Sequence, residues 1–364
     1  MAEISVRDVV KKFGETTALD GVSLTVRHGE VLALLGPSGC GKTTMLRCIA
    51  GLEEPSSGTI ELGEETLFSA RGSVPPWRRD IGMVFQSYAL WPHLTVAQNV
   101  GYGLTVQRTN KKVLARRVAE TLELTGLTGL EGRYPGELSG GQQQRVAVAR
   151  ALALHAEVVL FDEPLSNLDL KLREGVRDEL KRVLAEFGVT AVYVTHDVGE
   201  AVVLADRIAV MHAGQIVQLG TPDEIYHQPA TEYVARFVGN VNVLTARVER
   251  SGDARVVVVG DALRLDNPRL LARLPAGATD VRLLVRPEYV DLDVGGGGFG
   301  HEAVVKEIEF LGQATSYTVD LSGVLLRAVG LSRPDTKLTA GSVCTVRFAP
   351  EHVVVAGPDG EGGN

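Results

Sequence analysis

Apolar and polar positions over the first 240 residues follow two periods. Continuous runs at 30–35, 81–85, 157–162 and 190–195 are rich in Val, Ile and Leu and predict buried strands. Residues 45–50, about 112–126 (Val113, Leu114, Val118, Leu122, Leu124) and 146–152 repeat at helical spacing. Near the N-terminus, 4–10 and 22–26 alternate and are β-branched. They predict two half-buried strands, with Phe13 on a turn between them. Residues 55–58 form a turn before a short strand at 59–62, and 74–79 reads as a loop. Beyond about residue 240 the helical period stops. Short alternating strands follow at 244–248, 255–259, 281–285, 304–310, 317–321, 324–329 and 343–348, with a glycine-run loop at 295–298. That spacing predicts a small β-barrel. The pattern divides the chain into an α/β domain at 1–238, with a helical part at about 88–155, an all-β domain at 239–356, and a flexible polar tail at 357–364.

The junction between the first apolar run and the first helix carries the chemistry. Gly36-Pro37-Ser38-Gly39-Cys40-Gly41-Lys42-Thr43-Thr44 fits G-x-x-x-x-G-K-[ST] between a strand and a helix. Glycines let backbone N–H groups turn around an anion, and the helix N-terminus adds positive potential. Lys42 supplies a charge for β- and γ-phosphates, and the Thr43 hydroxyl is placed to ligate Mg²⁺. A strand between turn residues and helices that ends in polar groups points those groups at the same edge. Gln86 closes one apolar run, Asp162 and Glu163 close another, and His196 a third. Asp162 and the Gln86 amide suit Mg²⁺ or its water shell, Glu163 suits a base that polarises water, and His196 suits a γ-phosphate contact. Gln86 equally fits strand capping, and Phe13 fits either a core ring or an adenine platform. A second anion-gripping helix start appears at Leu138-Ser139-Gly140-Gly141-Gln142, without a lysine of its own. Two such starts but one lysine-bearing loop suggest sites completed by another copy.

At this point the chain resembles the ATP-binding cassette ATPases that power solute importers. Residues 36–44 match Walker A, Gln86 the Q-loop, 138–142 the LSGGQ signature, 158–162 Walker B, Glu163 the catalytic carboxylate, 166–169 the D-loop and His196 the switch histidine. The resemblance implies a P-loop nucleotide-binding domain with a helical subdomain. ATP and Mg²⁺ are the implied cofactors. Lys42, Gln86, Glu163 and His196 are implied to be catalytic, and Thr43, Gln86 and Asp162 to hold the metal. The implied nucleotide contacts are Phe13, which becomes an adenine platform, Ala18, Ser38, Gly39, Cys40, Gly41, Lys42, Thr43, Thr44, Gln86, Ser139, Gly140, Gly141, Gln142, Asp162 and Asp169. Residues 285–288 resemble a motif of the oligosaccharide-binding-like C-terminal domain in importers for maltose, iron(III), polyamines, sulfate and phosphonates. Residues 88–95 look closest to iron(III) and polyamine importers, with iron(III) the first expectation. The implied partners are a second copy, two transmembrane permease subunits and an extracytoplasmic solute-binding protein. The implied place is the cytoplasmic face of the bacterial inner or plasma membrane, with Tyr88 and Trp91 as anchors for a permease helix.

Composition trims the alternatives. The net charge of -8 disfavours nucleic acid as a partner. A soluble cassette ATPase acting on ribosomes or DNA is disfavoured further by the single Walker A and by the lack of heptads between Thr44 and Leu138. An exporter is disfavoured by the β tail. No run of about 18 apolar residues predicts a membrane span, the N-terminus shows no signal pattern, and the 3 cysteines are too few and too scattered for a disulfide framework.

Overall fold

A computed structural model describes residues 3–251, 254–260, 263–275, 277–293, 300–332, 338–347 and 349–356; the glycine run at 295–298, Phe348 and the tail at 357–364 lie outside them. The described chain divides into two compact units, 1–222 and 223–364.

The first unit opens with β1 (Ile4–Phe13), β2 (Thr16–Val26) and β3 (Val31–Leu35), followed by α1 (Lys42–Ala50), β4 (Ser57–Leu62), β5 (Glu65–Ser69), β6 (Gly72–Ser73) and β7 (Ile81–Val84). Then come α2 (Val96–Val106), α3 (Lys111–Leu124), α4 (Gly140–Ala153), β8 (Val158–Asp162), α5 (Leu170–Phe187), β9 (Thr190–Thr195), α6 (Val198–Leu204), β10 (Arg207–His212) and β11 (Gln215–Gly220). One sheet has the order β11-β10-β3-β9-β8-β7, with β10, β3, β9, β8 and β7 parallel; the other is antiparallel, β2-β1-β4-β5-β6. Three of the four apolar runs became β3, β8 and β9, in which every residue is buried, as parallel strands covered on both faces require; the fourth became β7 at the sheet's edge, where Ile81 and Met83 are only half-buried. Phe13 ends β1 rather than sitting on the turn: it pairs with Thr16, and Gly14 at φ 56° makes the reversal.

Helix α2 was not apparent in the apolar spacing, yet it carries a start signal. Thr95 caps it, with Thr95 Oγ1 accepting from Gln98 N and Gln98 Oε1 accepting from Thr95 N. Buried Arg79 organises the far end of α1. It donates to the carbonyls of Cys48, Ile49, Val74 and Leu67 and to Ser73 Oγ. Gly51, at φ 76°, has room for no side chain, because a Cβ would stand 2.6 Å from that guanidinium.

The second unit contains α7 (Pro222–His227), whose first residue lies at the division, α8 (Glu232–Val238), β12 (Asn242–Ser251), β13 (Ala254–Val259), β14 (Leu263–Leu265), α9 (Pro268–Ala272), β15 (Asp280–Val285), β16 (Asp291–Asp293), β17 (His301–Phe310), β18 (Ala314–Leu321), β19 (Val324–Leu331), β20 (Val343–Arg347) and β21 (Val353–Ala356). Its strands pair as two antiparallel five-stranded sheets, β14-β13-β12-β15-β21 and β16-β20-β17-β18-β19, around one apolar core. Residues 223–238, which the sequence pattern placed with the α/β part, group here. Buried Arg286 shows one reason: its guanidinium donates to the carbonyls of Tyr226, Ala235 and Asn240.

Candidate functional site

Parallel register gathers the polar strand ends. Leu35 pairs with Thr195, Asp162 with Val194 and Val84 with Phe161, so the chain leaves β3, β9, β8 and β7 at one carboxyl edge. From β3 it enters the 36–41 loop. A Cβ on Gly36 would lie 2.4 Å from the Met211 carbonyl, and one on Gly41, at φ 105°, would lie 2.6 Å from the Ala18 carbonyl. Only glycine fits these two places. Gly214 N donates to the Cys40 carbonyl, and Asp20 N to the Gly214 carbonyl, so the turn after β10 braces the loop from behind. No motif in the sequence signals that brace. Lys42 is buried, and its ammonium donates to the carbonyls of Gly36 (2.7 Å) and Pro37 (2.9 Å).

Thr43 Oγ1 donates to Asp162 Oδ1 at 3.0 Å, and burial raises the Asp162 carboxyl above its ordinary range, partly offset by that bond. Hydroxyl, carboxylate and the amide of Gln86 make an all-oxygen donor set of the hard kind that suits Mg²⁺. Glu163 follows at φ 44°, a left-handed conformation that costs a non-glycine residue on the order of 1–3 kcal/mol. Its N–H donates to the Val194 carbonyl, and its Oε2 lies 3.3 Å from His196 Nδ1. Gln86 Nε2 donates to Ser166 Oγ, Ser166 Oγ donates to the Glu163 carbonyl, and Asn167 Nδ2 donates to the Gln86 carbonyl. Gln86, Glu163 and 166–167 therefore form one bonded patch.

Phe13 stands exposed with Lys11 Nζ 4.6 Å above its ring, and Ala18 abuts the phosphate loop through its carbonyl. Ser38 and Gly39 are exposed on that loop, Cys40 is buried, and Thr44 is half-buried on the first turn of α1. Ser139 and Gly140 are also exposed. Ser139 caps α4 through a reciprocal capping box with Gln142, and Gly141 packs so closely that a Cβ would lie 3.2 Å from Val176. Asp169 caps α5, accepting from Leu172 N.

Two further groups were not apparent in the sequence. Arg150 of α4 is buried, donates to the carbonyls of Ala89 (2.6 Å) and Tyr88 (2.8 Å), and lies 4.9 Å from the Trp91 ring. Both carbonyl owners are left-handed, with φ of 47° and 60°, and the clamp holds them so. Tyr88 is consequently buried and not an exposed anchor, a correction to the sequence reading. Trp91 is half-buried and stacked 4.0 Å from the Tyr102 ring. Beside them, between α2 and α3, runs a groove of about 990 Å³ with Leu94, Ala97, Gly101, Tyr102, Leu114 and Val118 on its walls.

Comparison with known proteins matches this arrangement at three levels. Residues 19–166 match the ABC transporter family and residues 283–355 the TOBE domain family. A spermidine/putrescine import ATP-binding protein of Acidothermus cellulolyticus is 48% identical, covering 88% of this chain and 84% of the relative. A sulfate/thiosulfate import ATP-binding protein of Chromobacterium violaceum is 51% identical over 79% of this chain and 75% of its own. An Fe(3+) ions import ATP-binding protein of Photorhabdus laumondii is 42% identical over 89% and 88%. Among solved structures, cbiO1 of Clostridium perfringens, part of the ABC transporter complex cbiONQ, superposes with a TM-score of 0.57 at 30% identity, covering 61% of this chain and 89% of the other. A dimeric ATP-binding cassette in a post-hydrolysis state with ADP and Pi superposes at 0.52 and 33% identity, covering 60% and 98%. On these matches, this chain belongs to the ATP-hydrolysing subunits of ABC importers that carry a C-terminal TOBE domain.

Proposed function

We propose that the chain hydrolyses MgATP in sites shared by two copies. Lys42 and the N–H groups of residues 39–44 hold the β- and γ-phosphates, and Phe13 with the Ala18 backbone receives the adenine. Glu163 accepts a proton from the attacking water, and His196, oriented by the carboxylate 3.3 Å away, contacts the γ-phosphate. Thr43, Asp162 and Gln86 would hold Mg²⁺, which when bound would offset the negative charge of the phosphates. Ser139, Gly140, Gly141 and Gln142 of one copy close the site of the other, beside Asp169. The observation that carries this reading is the short chain of contacts from Thr43 through Asp162 to Glu163 and His196, set against a signature helix whose start is exposed.

The 88–102 surface, with Trp91 and Tyr102 on its rim, and the groove between α2 and α3 receive a short helix from a transmembrane subunit, one such subunit serving each of the two copies. The chain works as a peripheral subunit on the cytoplasmic face, and an extracytoplasmic binding protein delivers the solute. Among the described residues no helix is long and apolar enough to cross a membrane. For the solute we place a polyamine ahead of iron(III), the first expectation from residues 88–95, because a spermidine/putrescine relative is 48% identical over 88% of the chain against 42% over 89% for the Fe(3+) relative, while the sulfate/thiosulfate relative, at 51%, spans only 79%.

Glu163→Gln keeps shape but loses basicity, so it should bind MgATP, hydrolyse it about 10²–10⁴-fold more slowly and accumulate as a closed dimer. Ser38 and Ser139, both changed to cysteine in a cysteine-free Glu163→Gln background, should cross-link between copies only when MgATP is present. Absence of an ATP-dependent cross-link would sink the shared site. Uptake of labelled putrescine and labelled Fe³⁺ by cells carrying the intact transporter decides the solute.

A further inference from the structure

A buried carboxylate that the hydrolytic site does not use lies behind His196. Glu200 is 4% exposed. Its Oε2 accepts from the Tyr193 hydroxyl at 3.0 Å and from Thr195 Oγ1 at 2.8 Å. Thr195 Oγ1 also accepts from Asp197 N at 2.9 Å, and Asp197 Oδ1 accepts from Glu200 N at 3.0 Å. The residues on either side of His196 are thus both tied to Glu200. Burial is the main cause that raises the Glu200 carboxyl above its ordinary range, so the group is held by its bonds and not by solvent.

Arg173, on the first turn of α5, reaches this hub from the other side. Its Nη1 is 3.5 Å from Asp197 Oδ2 and its Nε is 3.9 Å from Glu200 Oε1, while Nη2 donates to the Leu168 carbonyl at 3.1 Å. Leu168 ends the turn in which Ser166 and Asn167 hold Gln86 and the Glu163 carbonyl. One planar guanidinium therefore spans two turns that sequence separates by about 30 residues: 166–168, bonded to Glu163 and Gln86, and 195–197, bearing His196. A lysine ammonium is a point charge and has no fork to span the same three targets.

We propose that Arg173 and Glu200 are positioning residues that lock the His196 turn to the 166–168 turn, so that the imidazole and the Glu163 carboxylate are presented to the γ-phosphate and the attacking water in one fixed relation. The inference rests on the roles proposed above for Glu163 and His196. A displacement of a reacting group by about 1 Å costs roughly 100-fold, so the loss belongs in kcat and not in nucleotide binding.

The test uses the purified full chain with MgATP and compares Arg173→Met, Arg173→Lys, Glu200→Gln, His196→Ala and the Arg173→Met/His196→Ala pair. Arg173→Met should lower kcat by about 10–100-fold while KM for ATP and equilibrium nucleotide affinity stay within about twofold. Arg173→Lys should recover only part of the rate. The double variant should be no slower than His196→Ala alone, because Arg173 acts through His196. Glu200→Gln, which keeps volume and an acceptor for Thr195, supplies the same reading if Arg173→Met does not fold. Wild-type kcat in a folded Arg173 or Glu200 variant overturns the inference, as do parallel losses in kcat and affinity, or additive losses in the double variant. If His196→Ala itself keeps full activity, the site reading fails, and with it the premise of this one.

Discussion

The carboxyl edge of the parallel sheet and the start of α4, the two phosphate grips of the proposed mechanism, are built to different degrees of closure. At the sheet edge each polar side chain has a partner within the chain: Lys42 two carbonyls, Thr43 with Asp162, Glu163 with His196, Gln86 with Ser166. At α4 the side chains of Ser139 and Gln142 cap each other's backbone, and Ser139 and Gly140 face outward. The sheet edge is a preorganised machine. In the function proposed above, the helix start is a lid whose seat lies on a second copy. Preorganised dipoles contribute most where charge develops; a capped helix start offers N–H groups and helix potential but no acid or base.

The contrast breaks hardest at Lys42. Lys42→Ala should weaken nucleotide binding and lower hydrolysis by about 10²–10³-fold or more, since it deletes a donor facing transferred charge. Near wild-type turnover would mean that the loop is not the phosphate site. Ser139→Arg acts on the lid alone. It should abolish the MgATP-dependent dimer and its hydrolysis, while a fluorescent ATP analogue binds the single copy within about twofold of wild type, because rim changes away from a site leave its intrinsic affinity nearly intact. Equal loss of binding would place the signature within the same copy's site.

A milder probe uses the cysteines. Cys40 sits on the phosphate loop with Sγ 3.8 Å from Lys42 Nζ. Cys48 is buried, and that burial pushes its thiol up to about 11; burial raises Cys344 as well. A raised thiol pKa means that thiolate appears only at higher pH, so at pH 8 Cys48 stays protonated. Alkylation at pH 8 should inactivate through Cys40, MgATP should protect, and Cys40→Ser should keep activity while losing the sensitivity. A serine variant that is still inactivated assigns the effect to another thiol. The smallest effect on the isolated subunit belongs to Trp91→Glu, remote from the phosphates. Basal hydrolysis should stay within about twofold, as for surface changes away from a site, while transport by the assembled complex falls steeply. Parallel losses in both assays would make Trp91 a folding residue.

Legibility in the sequence followed the reach of each constraint. The phosphate loop could be read because backbone crowding at Gly36 and Gly41 admits one residue type, and the strand ends because fully apolar runs announce buried parallel strands. Arg150 and Arg173 could not, since their distant targets lie about 60 and about 25 residues away and an arginine in a helix looks the same whether it faces water, a carbonyl or a carboxylate. Tyr88 was misread for the same cause: its burial depends on a turn that Arg150 holds. Helix α2 left a local trace, Thr95 three residues before Gln98, that its mixed apolar spacing obscured. The edges of the C-terminal strands shifted by a few residues, and β14, β16 and β21 are too short or too irregular to alternate visibly.

Gly51 and Arg79 carry a consequence for how this sequence can vary. The guanidinium fills the space that any side chain at 51 would need and satisfies carbonyls at the end of the helix that begins at the phosphate loop. Neither position drifts freely by itself: alanine at 51 meets the arginine, and a shorter residue at 79 takes a donor from four carbonyls, of which Cys48 keeps Gly51 N and Leu67 keeps Val74 N. The pair forms a ratchet in sequence space, crossed only by simultaneous replacement. Gly51→Ala should therefore be costly in the native background and less so once Arg79 is already gone, with the strain of a left-handed alanine at φ 76° remaining in both.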